Sequence, residues 1–353
     1  MSEIIHERPG VYSTYDASAV VSAGQAVKTI GVAAKAVRGT VGEAVTVTSY
    51  ASGVAAFGED TTPGMSTILR LLFANGASTV TAVRVADTGA LADYEAAFES
   101  LGKQDAQIVV CDSAEITVQQ ALRVAVETAS AGRRERIAVV GGDGETAAEL
   151  VEHAAALNSE RMVLVGPDVL DSAGKTLSGV FAAAAVAGVI ASGRDPAVPL
   201  NGTEIQGLGG AAEDYSDNDI DLLVRGGVTP LESVSGTVSV VRGITTRTKT
   251  GDTGDRTWRE LSTVLVVDDV IPSVRSALRS KFSRAKNTPQ SRGAIRAQVV
   301  LELENKLSRE IITAYDNVTV TEKADDPTVC LVEFSFTAAH GLNQIWLTAH
   351  ITV

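Results

Sequence analysis

The sequence predicts two regions of different architecture, an α/β region with a mostly parallel sheet and a following α+β region. Between Leu91 and Ala191, short apolar runs alternate with amphipathic segments of helical period. Apolar strands that alternate with helices are typical of a parallel sheet covered on both faces. Beyond about residue 200 this alternation stops. The 353 residues are enough for two cores, and 45% apolar residues indicate a folded chain.

The chain opens with an arm, which we place at residues 1–24. Pro9-Gly10 forces a turn there, and the strand-like run Val11–Tyr15 follows it. The elements predicted after the arm are a strand at Lys28–Val37, a helix that begins at Pro63-Gly64 and a strand at Thr79–Val85.

Four helices and three strands alternate in the α/β region, which we place at residues 25–200. The helices are predicted at Leu91–Leu101, Val118–Ala129, Ala147–Leu157 and Leu177–Ala191, and the strands at Ile108–Val110, Ile137–Val140 and Met162–Val165. A loop rich in Gly and Pro follows, from Arg194 to Gly210. We expect the main domain boundary in this loop.

The α+β region, residues 201–340, contains longer elements. A strand is predicted at Thr237–Ile244, and a helix starts near Pro272. The apolar sets that define its remaining elements are Ile271, Val274, Leu278 and Phe282 for that helix, Ile295, Val299, Leu303, Leu307 and Ile311 for a second helix, and Cys330, Val332, Phe334 and Phe336 for a strand.

The last strand, in residues 341–353, runs to the end of the sequence without a polar tail. Its apolar face consists of Ile345, Leu347, Ala349, Ile351 and Val353. Such a strand must dock on a sheet, because its backbone groups need partners. Two interpretations stay open. It belongs to its own domain's sheet, or it is donated to the sheet edge of a neighbouring subunit.

One basic stretch stands out in an acidic chain. Val270 to Leu301 contains no Asp or Glu and seven positive charges, which leaves −20 for the rest of a chain whose net charge is −13. Helical spacing places Arg275, Arg279 and Lys286 on one face, opposite the apolar set. This asymmetry indicates a surface for an acidic partner, although a solvated basic face without a partner remains the alternative.

The strongest enzyme-like signal is the loop Gly142–Ala147, which fits the dinucleotide pattern GxGxxA between a strand and a helix. Asp168 follows the next strand, roughly where a ribose-binding acid would stand. However, Asp143 and Glu145 would place two negative charges beside a pyrophosphate. A tight turn with acids that favour the helix dipole explains the same residues. A Rossmann-like dinucleotide enzyme is therefore the alternative reading, not the main one.

Other chemical signals are weak. The four histidines lack metal-ligand spacing, and no nucleophile motif or phosphate loop is present. Asp268-Asp269 is interpreted as charge at a helix start, and Asp217, Asp219 and Asp221 lack the Gly and Glu of a calcium loop. Cys111 and Cys330 sit in apolar runs as free thiols. We expect no catalytic residues, no metal and no cofactor.

Targeting and membrane signals are also weak. The amino terminus lacks the apolar region of a secretory signal, and the longest apolar run, Val180–Ala191, is too short to span a bilayer. The acidic balance argues against nucleic acid as a partner.

Several segments stand in a recognisable order along the whole chain. They are Glu7–Tyr12 at the start, Gly226–Leu231 with Val240–Thr246 in the middle, and Trp258–Thr263 with Asp268 downstream. In their order and in the length of the chain, these segments resemble the contractile tail sheath proteins of myophages and R-type bacteriocins.

The resemblance implies a structural subunit that forms stacked six-fold rings around an inner tube and contracts without nucleotide. It implies an outer α/β domain and an inner α+β domain that is completed by amino- and carboxy-terminal strands. Expected partners are further copies of the chain, the inner tail tube, baseplate and tail terminator proteins, in a virion tail or bacteriocin particle assembled in the bacterial cytoplasm. Nucleic acid and membrane insertion are not expected.

The resemblance implies that terminal strands link subunits. These strands would comprise Val11, Tyr12, Ser13 and Thr14 at one end and Ile345, Trp346, Leu347, Thr348, Ala349, His350, Ile351, Thr352 and Val353 at the other. The resemblance does not assign the residues that face the tube. From the basic stretch we expect these to be Arg275, Arg279, Lys281, Arg284 and Lys286.

Overall fold

The computed structural model describes residues 28–234 and 236–349. The helices of this part, in chain order, are α1 (Tyr50–Phe57), α2 (Met65–Ala74), α3 (Leu91–Gly102), α4 (Ile116–Ala131), α5 (Ala147–Leu157), α6 (Gly179–Ser192), α7 (Asp217–Gly226), α8 (Leu261–Phe282) and α9 (Pro289–Ser308). The strands are β1 (Ile30–Lys35), β2 (Ala44–Val47), β3 (Val80–Val85), β4 (Ile108–Cys111), β5 (Ile137–Gly141), β6 (Met162–Gly166), β7 (Val169–Leu170), β8 (Thr176–Leu177), β9 (Glu204–Ile205), β10 (Gly210–Ala211), β11 (Val228–Val234), β12 (Thr237–Val240), β13 (Lys249–Thr250), β14 (Thr253–Gly254), β15 (Ile312–Lys323) and β16 (Asp326–Ala338).

The main sheet has nine strands in the order β2-β3-β1-β4-β5-β6-β11-β12-β9. The pairs from β3 through β11 are parallel, and β2, β12 and β9 add antiparallel pairs at the two ends. The central strands are buried along their whole length, as their continuous apolar sequences predict. The predicted α/β fold is confirmed, with a large mixed sheet.

Helices cover both faces of this sheet, because successive side chains of each strand point to opposite faces. In β1, Val32 and Ala34 pack with α1, α2 and α6, whereas Ala33 packs with α3 and α4 on the other face. The Ala-rich helix α6 is buried almost throughout. Small side chains allow it to lie close to the sheet.

The sheet continues past the predicted boundary at residue 200. Strand β11 pairs with β6 in parallel, with Val228 opposite Leu164, and β12 and β9 extend the sheet from there. Thr229 fixes the next segment, because its hydroxyl group donates to the carbonyl of Ile244 and accepts from the amide of the same residue. Residues on both sides of position 200 therefore share one sheet and one core.

Helix α8 differs from its prediction. It begins at Leu261, eleven residues before Pro272, which lies inside the helix. The first turns form because Leu261 and Val264 are buried in the core of the main sheet, and tertiary packing outweighs the cost of an interior proline. Asp268 and Asp269 are therefore mid-helix residues, and their interpretation as helix-start charge is wrong.

The last elements form a smaller unit. Helices α8 and α9 pack with the β15–β16 hairpin around the buried residues Val270, Val274, Val299 and Leu303. The predicted strand face is confirmed, since Val332, Phe334 and Phe336 of β16 are half-buried while the residues between them are exposed. Strand β15 was not predicted, and Ile311 lies beyond the end of α9.

Candidate assembly surface

The basic stretch forms the end of α8, the following turn and most of α9. Arg279, Arg284 and Lys286 are exposed there, and none has an ion-pair partner among residues 28–234 and 236–349. Two positive charges in the last turn of α8 complement the negative end of its dipole. We call Arg279, Arg284 and Lys286 the basic turn.

The other four cations of the stretch form hydrogen bonds with groups of the same chain. Their partners are Glu135 for Arg275 at 2.7 Å, Gln298 for Lys281 at 2.6 Å, Glu322 for Arg292 at 2.8 Å, and the carbonyl of Val318 for Arg296 at 2.8 Å. Burial acts to raise the pKa of Glu135, but the hydrogen bonds and charge of Arg275 outweigh it and the pKa is lowered.

This geometry corrects the predicted basic face. Lys286 lies beyond the end of α8 at Phe282, so it does not share a helical face with Arg275 and Arg279. Arg275 also points back to Glu135, which precedes β5 in the main sheet. The local sequence could not show which cations are paired, because Glu135 stands 140 positions from Arg275.

The segment after β16 is extended and exposed. Asn201 donates to the side chain of Asn343 at 2.7 Å. Ile345, Trp346 and Leu347 are 80%, 89% and 91% exposed. No strand is present in residues 341–349, so the predicted strand finds no partner within the described part of its own chain. Val11–Thr14 and residues 350–353 lie outside the described residues.

A sheet with free edges lies nearby in the same unit. Strands β15 and β16 are 12 and 13 residues long, and within residues 28–234 and 236–349 they pair only with each other. A two-stranded sheet is marginal without further strands or a covering layer, and its edges present unpaired backbone groups. Strand β15 is irregular at two points, between Ile312 and Ala314 and between Asp316 and Thr319.

The Gly142–Ala147 loop is filled by the protein's own side chains. The amides of Gly144 and Gly179 donate to the two oxygens of Asp168 at 3.0 and 2.8 Å. A Cβ on Gly142 would lie 2.2 Å from Oε2 of Glu145. Burial raises the pKa of Asp168, as do the charges of Asp143 and Glu213. A phosphate group would compete with these carboxylates for the same amides, so the loop is poorly suited to a dinucleotide.

A cavity of about 310 Å³ lies between α4 and α8. Its carboxylates already have partners, namely Ser159 for Glu127, Arg275 for Glu135, Arg247 for Glu160 and Arg161 for Asp268. Burial raises the pKa of Asp268. On α8, Asp269 also pairs with the buried Lys306 of α9. The Arg161–Asp268 and Arg275–Glu135 pairs join α8 to residues beside β6 and β5 of the main sheet, whereas the Lys306–Asp269 pair joins α8 to α9.

Metal and membrane sites were also considered. In the described ranges, no group of three or more His, Cys, Asp or Glu side chains is arranged to hold a metal ion. None of the helices described above combines the length and apolar character needed to cross a bilayer.

Two family models match the chain. They describe the central domain of phage tail sheath proteins, at residues 90–246, and the phage tail sheath C-terminal domain, at residues 253–352. Together these ranges cover more than half of the sequence. The chain belongs to the phage tail sheath protein family. This is a structural family and not an enzyme family, so the sheath chain is a structural tail component and the dinucleotide-enzyme alternative is wrong.

Individual relatives agree with the family. The tail sheath protein of Bacillus phage SP01 is 29% identical over 251 residues, which are 69% of the sheath chain and 42% of that protein. The sheath chain thus spans less than half the length of this relative.

Two solved structures share the fold. The anti-feeding prophage sheath in its contracted state has a TM-score of 0.74 and 16% identity, covering 98% and 99% of the two chains. The sheath tail protein of Desulfitobacterium hafniense has a TM-score of 0.72 and 12% identity, covering 93% and 100%. The resemblance to sheath proteins expected from the sequence is confirmed.

Proposed function

We propose that the sheath chain polymerises as stacked six-fold rings around an inner tube and contracts to drive the tube through a target cell envelope. The observation that carries this proposal is the exposed apolar segment Ile345–Leu347. It follows a two-stranded sheet, β15–β16, whose outer edges are unpaired within the described part of the chain. A segment and an acceptor edge on each copy allow a heterologous contact that repeats without closing, and such contacts produce helical polymers. The anti-feeding prophage relative is described as a helical sheath.

Terminal strands would link neighbouring copies. Residues 11–14 at one end and 345–353 at the other would add to the β15–β16 sheet of neighbours, where the ladder supplies backbone partners. Such links keep subunits connected while their globular parts change packing during contraction. In this arrangement the α/β part faces outward and the α8–β16 unit faces the tube.

The basic turn would face the tube, joined by Lys281 after release of Gln298. Arg275 is left out of this revised set because it pairs with Glu135. Contacts between exposed charges are screened by salt, and each is weak and reversible. Such contacts would allow the sheath to dissociate from the tube on contraction. The partners would be the tube, baseplate and terminator proteins, in a virion tail or bacteriocin particle assembled in the bacterial cytoplasm.

Removal of Ile345–Val353 tests the strand exchange. We expect a folded monomer that no longer polymerises, because Ile345, Trp346 and Leu347 are exposed and form no strand pair with the described part of their own chain. Size-exclusion chromatography, circular dichroism and negative-stain microscopy measure the outcome. Long cylinders formed by the truncated chain, or its complete unfolding, would contradict the proposal.

Point variants refine the same test. In a strand, Ile345 and Leu347 share one face and Thr348 lies on the other. The double variant Ile345→Asn/Leu347→Asn should abolish polymers, whereas the matched control Thr348→Asn should still polymerise. Equal behaviour of the two variants would show that the apolar face of the segment is not buried in the assembly.

A further inference from the structure

A second group of arginines lies at the end of α7, and its members are distant from one another in the sequence. Nη2 of Arg259 donates to the carbonyl of Val224 at 3.2 Å, which brings this side chain beside Arg225 in the last turn of α7. Arg242, which follows β12, pairs with Glu260, the residue after Arg259. These contacts bring three arginines together at one place on the surface.

A fourth arginine completes the group, because the carbonyl of Arg256 accepts from the amide of Arg259 at 3.4 Å. We call Arg225, Arg242, Arg256 and Arg259 the arginine cluster. The acids that pair with it among the described residues are Asp221, at 2.7 Å from Arg225, and Glu260. Four arginines and two acids leave a net charge of +2. Burial lowers the pKa of Arg259, as do the charges of Arg242, Arg256 and Arg225, while Glu260 acts in the opposite direction.

The cluster has hydrogen-bond donors that its own chain does not use. The Nε atoms of Arg242 and Arg259 are buried, and neither has an acceptor in the part of the chain that the structure describes. A buried donor without an acceptor is unfavourable. Arginine binds carboxylates through pairs of N–H groups. The cluster is therefore suited to additional carboxylates from outside the described chain.

The start of α7 carries the opposite charge. Glu213, Asp214 and Asp217 are exposed there, and none has an ion pair within residues 28–234 and 236–349. A helix rises about 1.5 Å per residue, so Asp217 and Arg225 are about 12 Å apart along α7. The acidic and basic groups thus occupy separate ends of one helix. We call Glu213, Asp214 and Asp217 the acidic start of α7.

We infer that the acidic start of α7 in one copy docks on the arginine cluster of the next copy. The inference rests on the proposed polymerisation and adds a contact that does not involve the terminal strands. Copies of a chain with net charge −13 repel one another, so polymerisation is favoured by local contacts between opposite charges. Because the two patches differ, the contact is heterologous and can repeat along a helical polymer.

Complementary charge reversals test the inference. Asp214→Lys/Asp217→Lys makes the acidic start of α7 basic, and Arg225→Glu/Arg259→Gln makes the arginine cluster acidic. The glutamine keeps an N–H group for the carbonyl of Val224. Each variant alone should raise the critical concentration for cylinder formation by about tenfold or more, because like charges then meet at every contact. Sedimentation and negative-stain microscopy measure the polymer, and circular dichroism checks the fold.

An equal mixture of the two variants should polymerise near the wild-type critical concentration, because each patch meets its opposite when the variants alternate. Mixing cannot repair a folding defect, so recovery separates docking from structural damage. If Arg259→Gln prevents folding, the surface change Arg225→Glu alone takes its place in the mixture.

Two controls bound the effect. Glu95→Lys/Glu152→Lys changes the net charge by the same amount as the acidic-start variant, at exposed residues of α3 and α5, and should polymerise as wild type. Arg256→Glu alone changes one exposed side chain that solvent screens, and should shift the critical concentration by less than about fivefold.

Wild-type critical concentrations for both double variants would overturn the inference, while removal of Ile345–Val353 would still test the strand exchange by itself. Losses that mixing does not restore would place the acidic start of α7 against another surface and also overturn it. A loss limited to co-assembly with the tube would assign the arginine cluster to the tube instead. If the wild-type chain formed no cylinders, the proposed function would fail, and this inference with it.

Discussion

Gly141 and Gly179 bring a strand end and a helix start into direct contact. A Cβ on Gly141 would lie 2.0 Å from the carbonyl carbon of Gly179 and 2.1 Å from its oxygen. Backbone atoms of a buried helix cannot move aside as a flexible side chain can. The close packing of α6 against β5 therefore depends on the absence of a side chain at this position.

We expect Gly141→Ala to destabilise the fold by about 3 kcal/mol or more, because the methyl group must displace the start of α6. Denaturant unfolding of the monomeric tail deletion measures this. Gly102→Ala is the matched control, since nothing lies within 4 Å of its added Cβ at the end of α3. The control should be neutral or stabilise by up to about 1 kcal/mol. Similar costs for both variants would contradict the packing argument.

Arg275 contributes to stability more than the exposed cations near it. Its side chain is 36% exposed and Glu135 is 15% exposed, so solvent screens the pair only in part. We expect Arg275→Ala to cost about 1 kcal/mol, and Arg279→Ala to stay within about 0.5 kcal/mol. Thermal unfolding of the two variants distinguishes these outcomes. A cost for Arg279→Ala equal to that for Arg275→Ala would contradict the assignment.

The pH dependence of the Arg275 variant follows from the lowered pKa of Glu135. A glutamate in the unfolded chain has a pKa of about 4.3. The stability from the pair is fully present above that pH and is lost as the pH falls through the lower folded value. The difference between wild type and Arg275→Ala should therefore shrink in acid.

At the scale of elements, α8 carries an interior proline. Pro272 has no N–H to donate to the carbonyl of Asp268, and the hydroxyl group of Ser273 donates to the neighbouring carbonyl of Asp269 at 2.6 Å. We expect Pro272→Ala to stabilise the chain by about 1–2 kcal/mol. This is less than the full helix-interior cost of about 3 kcal/mol, because proline also restricts the unfolded chain.

Pro289→Ala is the control for that prediction, since Pro289 is the first residue of α9, where proline is favoured. Its effect on the unfolding temperature should be close to zero. If Pro272→Ala were as neutral as this control, the missing hydrogen bond would carry no cost and the shape of α8 would be set by packing alone.

Local sequence predicts an element well when its capping residues and the spacing of its apolar residues agree with the way the element packs. Helix α5 was predicted at its observed bounds because Thr146 and Glu149 form a capping box around an amphipathic run. Strand β15 was missed because Asp316-Asn317 interrupts its alternation, and the structure places an irregularity there with Asn317 at a positive φ. The first half of α8 was missed because its stability comes from the core of the main sheet.

The candidate surface was predictable only in outline. The sequence showed a basic stretch and an apolar end segment, which the structure finds exposed at Arg279, Arg284, Lys286 and Ile345–Leu347. It could not show which cations are neutralised. The partners of Arg292 and Arg275 stand 30 and 140 positions away, and only the folded topology brings them together.

At the scale of the whole molecule, charge is divided unevenly. The exposed basic turn belongs to a chain of net charge −13. We expect the triple variant Arg279→Glu/Arg284→Glu/Lys286→Glu to unfold near the wild-type temperature but to co-assemble poorly with the tube protein. Rising salt should weaken wild-type co-assembly in the same direction, because exposed charge pairs are screened. Co-sedimentation with purified tube measures both effects.

The control must change the net charge equally. Lys175, Arg194 and Arg256 are exposed and have no ion pair in the described part of the chain, away from the basic stretch. Reversing these three to Glu should leave co-assembly nearly intact. Salt-insensitive co-assembly, or equal loss in both triple variants, would place the tube contact elsewhere.

The exposed segment after β16 also contains a tryptophan, Trp346, whose fluorescence can report on assembly. The chain has two tryptophans, of which Trp258 is half-buried against the main core and Trp346 is 89% exposed. An indole in water emits at longer wavelength than one in an apolar contact. If a neighbouring copy covers the segment, the emission of Trp346 will shift to the blue as subunits join, while that of Trp258 will stay constant. The kinetics of polymer growth could then be followed by fluorescence in unlabelled protein.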